Sequence, residues 1–237
     1  MKHNRIAVVI PTYNERENII SLIEEILSLP LNIAVLVIDD DSPDGTGDVV
    51  SRAFHNNPTV HVFIRKEKRG RGLAGYFGYL RALEMHFDII GEMDADWSHH
   101  PMFIPDLVHA LENADVAVGS RYLKGAEEQR KSVMRRAISR FARLYLRFLL
   151  HIPLSDPTSG FRFFRRSALA KIADAIKSED QFIVTEVYFL LTRTGAHFAE
   201  VPITFYERKK GQSKLGTEVL FRYLYKVLCL KFSRVRS

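Results

Sequence analysis

Cysteine is nearly absent from these 237 residues: Cys229 stands alone, which excludes an intrachain disulfide and any zinc site built from cysteines. A reducing compartment is the expected home. Long apolar runs are missing as well. The longest stretch free of Asp, Glu, Lys and Arg runs from Ile26 to Ile38, is broken by Pro30 and Asn32, and falls short of the roughly 18 residues that suggest a membrane span. Lys2 and Arg5 open the chain without an apolar segment before the first strand pattern, so no secretory signal is expected. Hydrolase signatures are lacking too. No G-x-S-x-G occurs, and His99-His100-Pro101 is not the i,i+4 histidine pair of a helical zinc protease, so these histidines read as loop or cap residues. What is abundant is ordinary: 46% hydrophobic and 26% charged residues describe a globular chain rather than a disordered one. The length suits one compact domain with an appended element.

Charge is divided unevenly. Residues 1–118 carry 10 Lys/Arg against 18 Asp/Glu, whereas residues 119–237 carry 24 against 10. The net +6 therefore conceals an acidic half and a strongly basic one. Such asymmetry points to a cation-mediated ligand in the first half and an anionic partner, such as a phosphate, a lipid surface or nucleic acid, in the second. Two ordinary solvated faces would give the same balance.

Short, nearly continuous β-branched runs at Ile6–Pro11, Ile33–Ile38, Val60–Ile64, Ile89–Met93 and Val116–Val118 predict strands buried on both faces. Helical patterns at Asn18–Leu27, Thr46–Phe54, Leu73–Phe87 and Pro101–Glu112 separate them. The alternation predicts an α/β protein with a mainly parallel sheet flanked by helices, in which ligands bind beyond the carboxyl ends of the strands. Three such ends are polar: Pro11-Thr12-Tyr13-Asn14-Glu15, Asp39-Asp40-Asp41-Ser42 and Asp94-Ala95-Asp96-Trp97-Ser98.

After Ser120 the alternation stops and a basic helical stretch, Lys131–Leu150, follows. At about 100° per residue, Arg136, Arg140, Arg143 and Arg147 fall within a wedge of about 60°. A helix lying on anionic headgroups and a helix packed on the sheet with a solvated arginine edge share this pattern. Val219–Phe232, with Arg222 and Lys226, is equally ambiguous.

Asp94 and Asp96 stand two apart where a buried strand ends, and carboxylates so placed suit Mg2+ or Mn2+ held against a diphosphate. Turn chemistry alone also favours aspartates there. The second acidic end, Asp39-Asp40-Asp41, crowds like charges and requires compensation by cations or donors. Gly70, Gly72 and Gly75 spell G-x-G-x-x-G, but Arg65–Arg69 intervene after the strand and the first βα turn has no glycine. A dinucleotide site is therefore not expected, although the turn suits a nearby phosphate. Asp156–Arg162, dense in turn formers, suits a hinged active-site loop, and Arg208–Lys214 suits a cationic loop able to close over a diphosphate, although taken alone it reads as a solvated basic loop. Glu186, in the apolar stretch Phe182–Leu191, needs a partner if ionised.

In order along nearly the whole chain, Pro11–Asn18, Asp39–Thr46, Met93–Asp96, Gly119–Tyr122, Thr158–Arg162 and Ser213–Leu215 resemble the family 2 glycosyltransferases, in particular their dolichol-phosphate (polyprenol-phosphate) mannose synthases. The resemblance implies a GT-A fold: one domain over 1–237, with about 1–120 binding nucleotide sugar and metal and about 121–237 facing acceptor and membrane. It implies transfer of mannose from GDP-mannose to a polyprenyl (dolichyl) phosphate with inversion, dependent on Mg2+ or Mn2+, at the cytosolic face of a membrane. Carried over by position, Pro11, Tyr13, Glu15, Ile38 and Asp40 would hold guanosine and ribose; Asp94, Ala95 and Asp96 would meet the diphosphate and its metal. Ser98 stands where relatives offer Gln as a further ligand. Arg208 and Lys214 would contact the nucleotide sugar, while Arg121, Arg135 and Ser139 would cradle the acceptor phosphate. Catalysis would rest on Asp96, Arg121 and Arg135. Some members append membrane-spanning helices and others use an anchoring subunit; none of this requires nucleic acid. The competing readings are a UDP-sugar transferase of the same fold and a non-catalytic module binding anionic membrane or nucleic acid, with a dinucleotide oxidoreductase further behind.

Overall fold

The computed structural model describes residues 4–128, 133–206 and 217–232, without the side chains of residues 128, 133–139 and 217–220. Its first half is a strict alternation: β1 (Ile6–Thr12), α1 (Ile19–Leu27), β2 (Ile33–Asp39), α2 (Thr46–Ala53), β3 (Val60–Ile64), α3 (Arg71–Glu84), β4 (Ile89–Glu92), α4 (Ile104–Ala110) and β5 (Val116–Ser120). The second half adds β6 (Glu127–Glu128), α5 (Val133–Leu150), β7 (Arg162–Arg165), α6 (Arg166–Ile172), α7 (Ile183–Arg193), β8 (Phe198–Pro202), β9 (Thr204–Phe205) and α8 (Thr217–Phe232).

Seven strands form one sheet in the order β3-β2-β1-β4-β7-β5-β8. All neighbours are parallel except β7, which runs antiparallel to both β4 and β5. All seven residues of β2 are buried, because helices cover both faces. Side chains alternate between the two layers: Val9, Leu36 and Ile38 join the core beneath α3 and α7, while Val8, Ile10, Val35 and Val37 join the one beneath α1 and α4. Close packing of α3 depends on Gly78, where an added Cβ would lie 2.3 Å from Val9 Cγ1.

The chain winds outward from β1 through β2 to β3, then returns to place β4 on the other side of β1. That reversal opens a crevice at the carboxyl ends of β1 and β4, the usual ligand position in such sheets.

Candidate functional site

The first two polar strand ends are built as one unit. Asp39 accepts hydrogen bonds from Thr12 Oγ1 at 2.8 Å and from Ser42 N and Oγ at 2.9 and 2.6 Å. Asn14 N donates to Ser42 Oγ at 3.1 Å, and Glu15 N to Thr46 Oγ1 at 3.0 Å. The loop holding Tyr13 and Glu15 is thus tied to the loop holding Asp40. Tyr13 is exposed at the rim with the Arg69 guanidinium over its ring. Pro11 and Ile38 pair across β1 and β2.

Repulsion among the carboxylates is relieved by one short segment. Arg65 pairs with buried Asp40, whose other oxygen accepts from Gly70 N at 2.7 Å. Arg69 lies 3.5 Å from Asp41, and Arg71 reaches both Glu92 and Asp94, the latter at 3.0 Å. Glu92, fully buried, is also held by Arg162 at 2.9 Å and by the Tyr79 hydroxyl. Burial raises the Glu92 pKa, but Arg71 and Arg162, with hydrogen bonds from Tyr79 and Arg71, outweigh it and hold the carboxyl below its ordinary value. Burial raises the Tyr79 pKa well above its ordinary value, so the phenol keeps its proton and donates.

Beyond β4 the chain turns sharply at Trp97, whose φ of 62° lies in the left-handed region uncommon for a bulky residue. Ser98 N closes this turn on Asp96 Oδ1 at 3.0 Å, so the amide of Ser98 serves Asp96. Ala95 and Ser98 are buried. His99 stacks on Phe161 at 5.1 Å, with its Nδ1 4.0 Å from Asp94 Oδ2. Burial dominates its titration and lowers its pKa. His100 accepts from Met102 N and is the cap residue expected of it.

From β5, Arg121 enters bidentate contact with Asp156, Nε to Oδ2 at 2.7 Å and Nη2 to Oδ1 at 3.0 Å, and Nη2 also reaches Thr158 Oγ1 at 3.0 Å. Asp156 N in turn donates to Glu200. The Asp156–Arg162 loop passes beside the aspartates: a Cβ on Gly160 would meet Arg71 Nη2 at 3.5 Å and Asp94 Oδ2 at 3.6 Å. Phe205 joins the two sides, its ring 5.5 Å from that of His99 and 4.8 Å from the Arg121 guanidinium. Tyr206 N donates to Ser98 O at 3.2 Å, which ties Tyr206 to the Asp96 turn.

Arg208 and Lys214 themselves lie outside the described residues, as do the side chains of Arg135 and Ser139, whose backbone belongs to α5. The glycine-rich turn is used differently from the expectation of a phosphate contact. Gly72 N and Leu73 N donate to Glu179 O at 3.0 and 3.2 Å, so the amino end of α3 is capped by the chain's own backbone. A cavity of 1140 Å³ borders this end of α3, between residues 174–182 and α8, and its lining includes Arg71 but neither Asp94 nor Asp96. Glu186 has the partners it needs, the amides of Lys177 and Ser178.

Arg71 and Glu92 are site residues that sequence reasoning missed, and Arg162, read as the end of an active-site loop, is instead the buried partner of Glu92. One clue was available: Glu92 interrupts an apolar strand, where an ionised group demands a partner.

The family model for glycosyl transferase family 2 matches residues 7–173. Undecaprenyl-phosphate mannosyltransferase of Micrococcus luteus is 39% identical over 213 residues, 90% of this chain and 88% of that protein. Polyprenol monophosphomannose synthase of Mycolicibacterium smegmatis is 37% identical over 226 residues, 94% of this chain and 85% of that protein. Among solved structures, glucosyl-3-phosphoglycerate synthase of Mycobacterium tuberculosis in complex with Mn2+, UDP and phosphoglyceric acid superposes with a TM-score of 0.70 at 21% identity, covering 96% of this chain and 77% of that one. That likeness shows the fold, which is GT-A.

Proposed function

This chain belongs to glycosyl transferase family 2, and we propose on that basis that it transfers mannose from GDP-mannose to a polyprenyl phosphate with inversion at the anomeric carbon. One observation carries the reading: Phe205 touches both His99, beside the aspartate turn, and Arg121, so a diphosphate-type site and a phosphate-type site adjoin across one side chain. The names borne by the two mannosyltransferase relatives support the sugar and the lipid class.

In this reading residues 1–120 hold the donor. Pro11, Tyr13, Glu15, Ile38 and Asp40 frame guanosine and ribose, and Asp94, Ala95 and Asp96 meet the diphosphate. The donor set fits a hard divalent cation such as Mg2+ or Mn2+. Among the described residues no group of three or more His, Cys, Asp or Glu is gathered to hold a metal, so Asp94 and Asp96, with Ser98 beside them, would share it with diphosphate and water oxygens. Such a cation neutralises charge on a departing nucleoside diphosphate. Arg208 and Lys214, carried over from the family resemblance, would contact the same phosphates.

Residues 121–237 hold the acceptor. A phosphate monoester with its second pKa near ~6 is mostly dianionic at neutral pH and needs no general base. What it needs is aim, and Arg121 is rigidly oriented for that by Asp156 and Thr158. Arg135 and Ser139 complete the cradle. The phosphate oxygen forms its bond to the anomeric carbon as the bond to GDP breaks on the opposite face, giving a β-linked mannosyl phosphate from an α-linked donor.

The exposed faces of α5 and α8 support a peripheral position on a membrane, and its cytosolic face is carried over from the family resemblance. Phe141, Leu144 and Phe148 on α5, and Phe221, Tyr225, Leu228 and Phe232 on α8, are exposed alongside exposed Arg140, Arg147 and Arg222. Apolar side chains edged by arginine suit insertion among anionic headgroups. Among the described residues no helix is long and apolar enough to cross a membrane.

Radiolabelled GDP-mannose or UDP-glucose, supplied with Mg2+ and polyprenyl phosphate, tests the proposal. Labelled glycolipid is expected from GDP-mannose and should vanish with Asp96→Ala. Product from UDP-glucose alone would overturn the donor, and no product from either would overturn the reaction.

A further inference from the structure

The arginines of α5 are not equivalent. Arg140 and Arg147 are exposed and solvated, whereas Arg143 is only partly exposed. Its guanidinium carbon lies 4.3 Å from the centre of the Tyr122 ring, and its Nε is buried with no hydrogen-bond partner. Among the described residues no carboxylate pairs with it, in contrast to Arg121, which faces Asp156. A cation withdrawn from water without a counter-charge is costly, and stacking on one aromatic ring recovers only part of that cost. The position therefore suits an anion that the described residues do not supply.

Two placements indicate which anion. Arg121 lies over the same Tyr122 ring, 5.4 Å from its centre, so the two guanidinium groups share one aromatic platform. Along α5, positions 135, 139 and 143 recur every fourth residue and so lie on one stripe of the helix. We infer that Arg143 binds the phosphate of the acceptor, as a further cation on the stripe that carries Arg135 and Ser139. This rests on the acceptor reading given above. Among the described residues no carboxylate balances the charge of Arg143, unlike that of Arg121.

The test is binding of geranyl phosphate, a water-soluble acceptor that removes the membrane from the measurement, compared with geraniol and with GDP. Arg143→Met should raise the dissociation constant for geranyl phosphate roughly 10- to 100-fold, the range of a charge-assisted hydrogen bond. Affinity for GDP should be unchanged, preference over geraniol should collapse, and Arg143→Lys should recover part of the loss. If Arg143→Met no longer binds GDP, Arg143→Gln carries the same comparison. Unchanged geranyl phosphate affinity in a variant that still binds GDP would overturn the inference. So would loss of binding to phosphatidylglycerol vesicles with geranyl phosphate binding retained, because the cation would then serve membrane headgroups. Should the native chain bind geranyl phosphate but transfer no mannose, the sugar reading fails while the Arg143 ratio still decides this inference. If the native chain binds no geranyl phosphate, both fall.

Discussion

Glu92→Gln removes one charge and almost no volume from the centre of the site. Its carboxylate is fully buried between Arg162, also fully buried, and Arg71, which is 21% exposed. The Tyr79 hydroxyl donates to the same oxygen as Arg162 Nε and Nη2. Gln keeps a carbonyl acceptor for some of these donors but leaves buried Arg162 without its carboxylate and Arg71 with Asp94 as its remaining anion. Breaking a buried pair by neutralising one partner costs roughly 3–5 kcal/mol. For a chain of this length each kcal/mol moves the melting temperature by about 2–4 °C, so a fall of roughly 6–20 °C is expected. Urea unfolding followed by circular dichroism measures the loss, with an unchanged m-value showing that the transition is the same. Arg162→Met relieves part of the imbalance, so the double variant should lose less than the two single variants together by at least about 1 kcal/mol. A loss below about 1 kcal/mol in Glu92→Gln, or strict additivity in the cycle, would refute the view that these charges neutralise one another.

Gly72→Ala should destabilise by about 1–3 kcal/mol, because its Cβ would meet the backbone oxygens of Ser178 and Asp180 at 2.5 Å; the roughly 1 kcal/mol that Ala gains over Gly in a helix does not offset this. Thermal melting checks it, and a stabilised variant would show that residues 178–180 yield easily. For Asp156, burial raises the pKa but the charge of Arg121 and hydrogen bonds from Arg121 and Thr158 lower it further, leaving it below 3.8. Its stabilisation is therefore complete above pH 3.8 and is lost as pH falls through the lower folded value. Asp156→Asn should accordingly be less stable than the native chain at neutral pH, the gap closing only in strong acid; denaturation across a pH series reads this, and a gap that closes above pH 3.8 would contradict it. Phe148→Ser and Phe221→Ser, at side chains 80% and 72% exposed, should each weaken sedimentation with anionic vesicles roughly 10-fold while leaving the melting temperature unchanged. Equal sedimentation of both variants and the native chain would remove α5 and α8 from the membrane contact.

The first half of the fold was legible because strands buried on both faces must be largely apolar, and β1, β2, β4 and β5 are, despite Glu92 in β4; β3, expected to be buried in the same way, lies at the sheet edge and is only half-buried. β7 was not legible. Arg162-Phe163-Phe164-Arg165 is a four-residue strand with charged ends and no run of β-branched residues, and its antiparallel insertion between β4 and β5 places Arg162 opposite Glu92. The arginine wedge of α5 was geometrically sound but blind to orientation: a helix does not disclose which edge of a wedge meets the sheet, and Arg143 falls on the inner side of that edge while Arg140 and Arg147 do not.

The acidic strand ends required compensation on electrostatic grounds, and the compensation comes from an unexpected place. The basic segment after β3, set aside with the glycine motif as a non-dinucleotide turn, sends Arg65 to Asp40, Arg69 to Asp41 and Arg71 to Asp94 and Glu92. The glycines explain how it can do so. Gly70 donates to Asp40, and Gly72 lets the backbone at Glu179 close over the start of α3, which pins the segment across the crevice with its arginines facing the carboxylates. Apart from Arg162, which comes from the basic half to Glu92, these counter-charges belong to the acidic half itself, and much of the positive excess of the basic half is left for other anions. That division separates the diphosphate side of the crevice, where arginines already face Asp40, Asp41, Glu92 and Asp94, from the Tyr122 platform, where among the described residues no carboxylate pairs with Arg143.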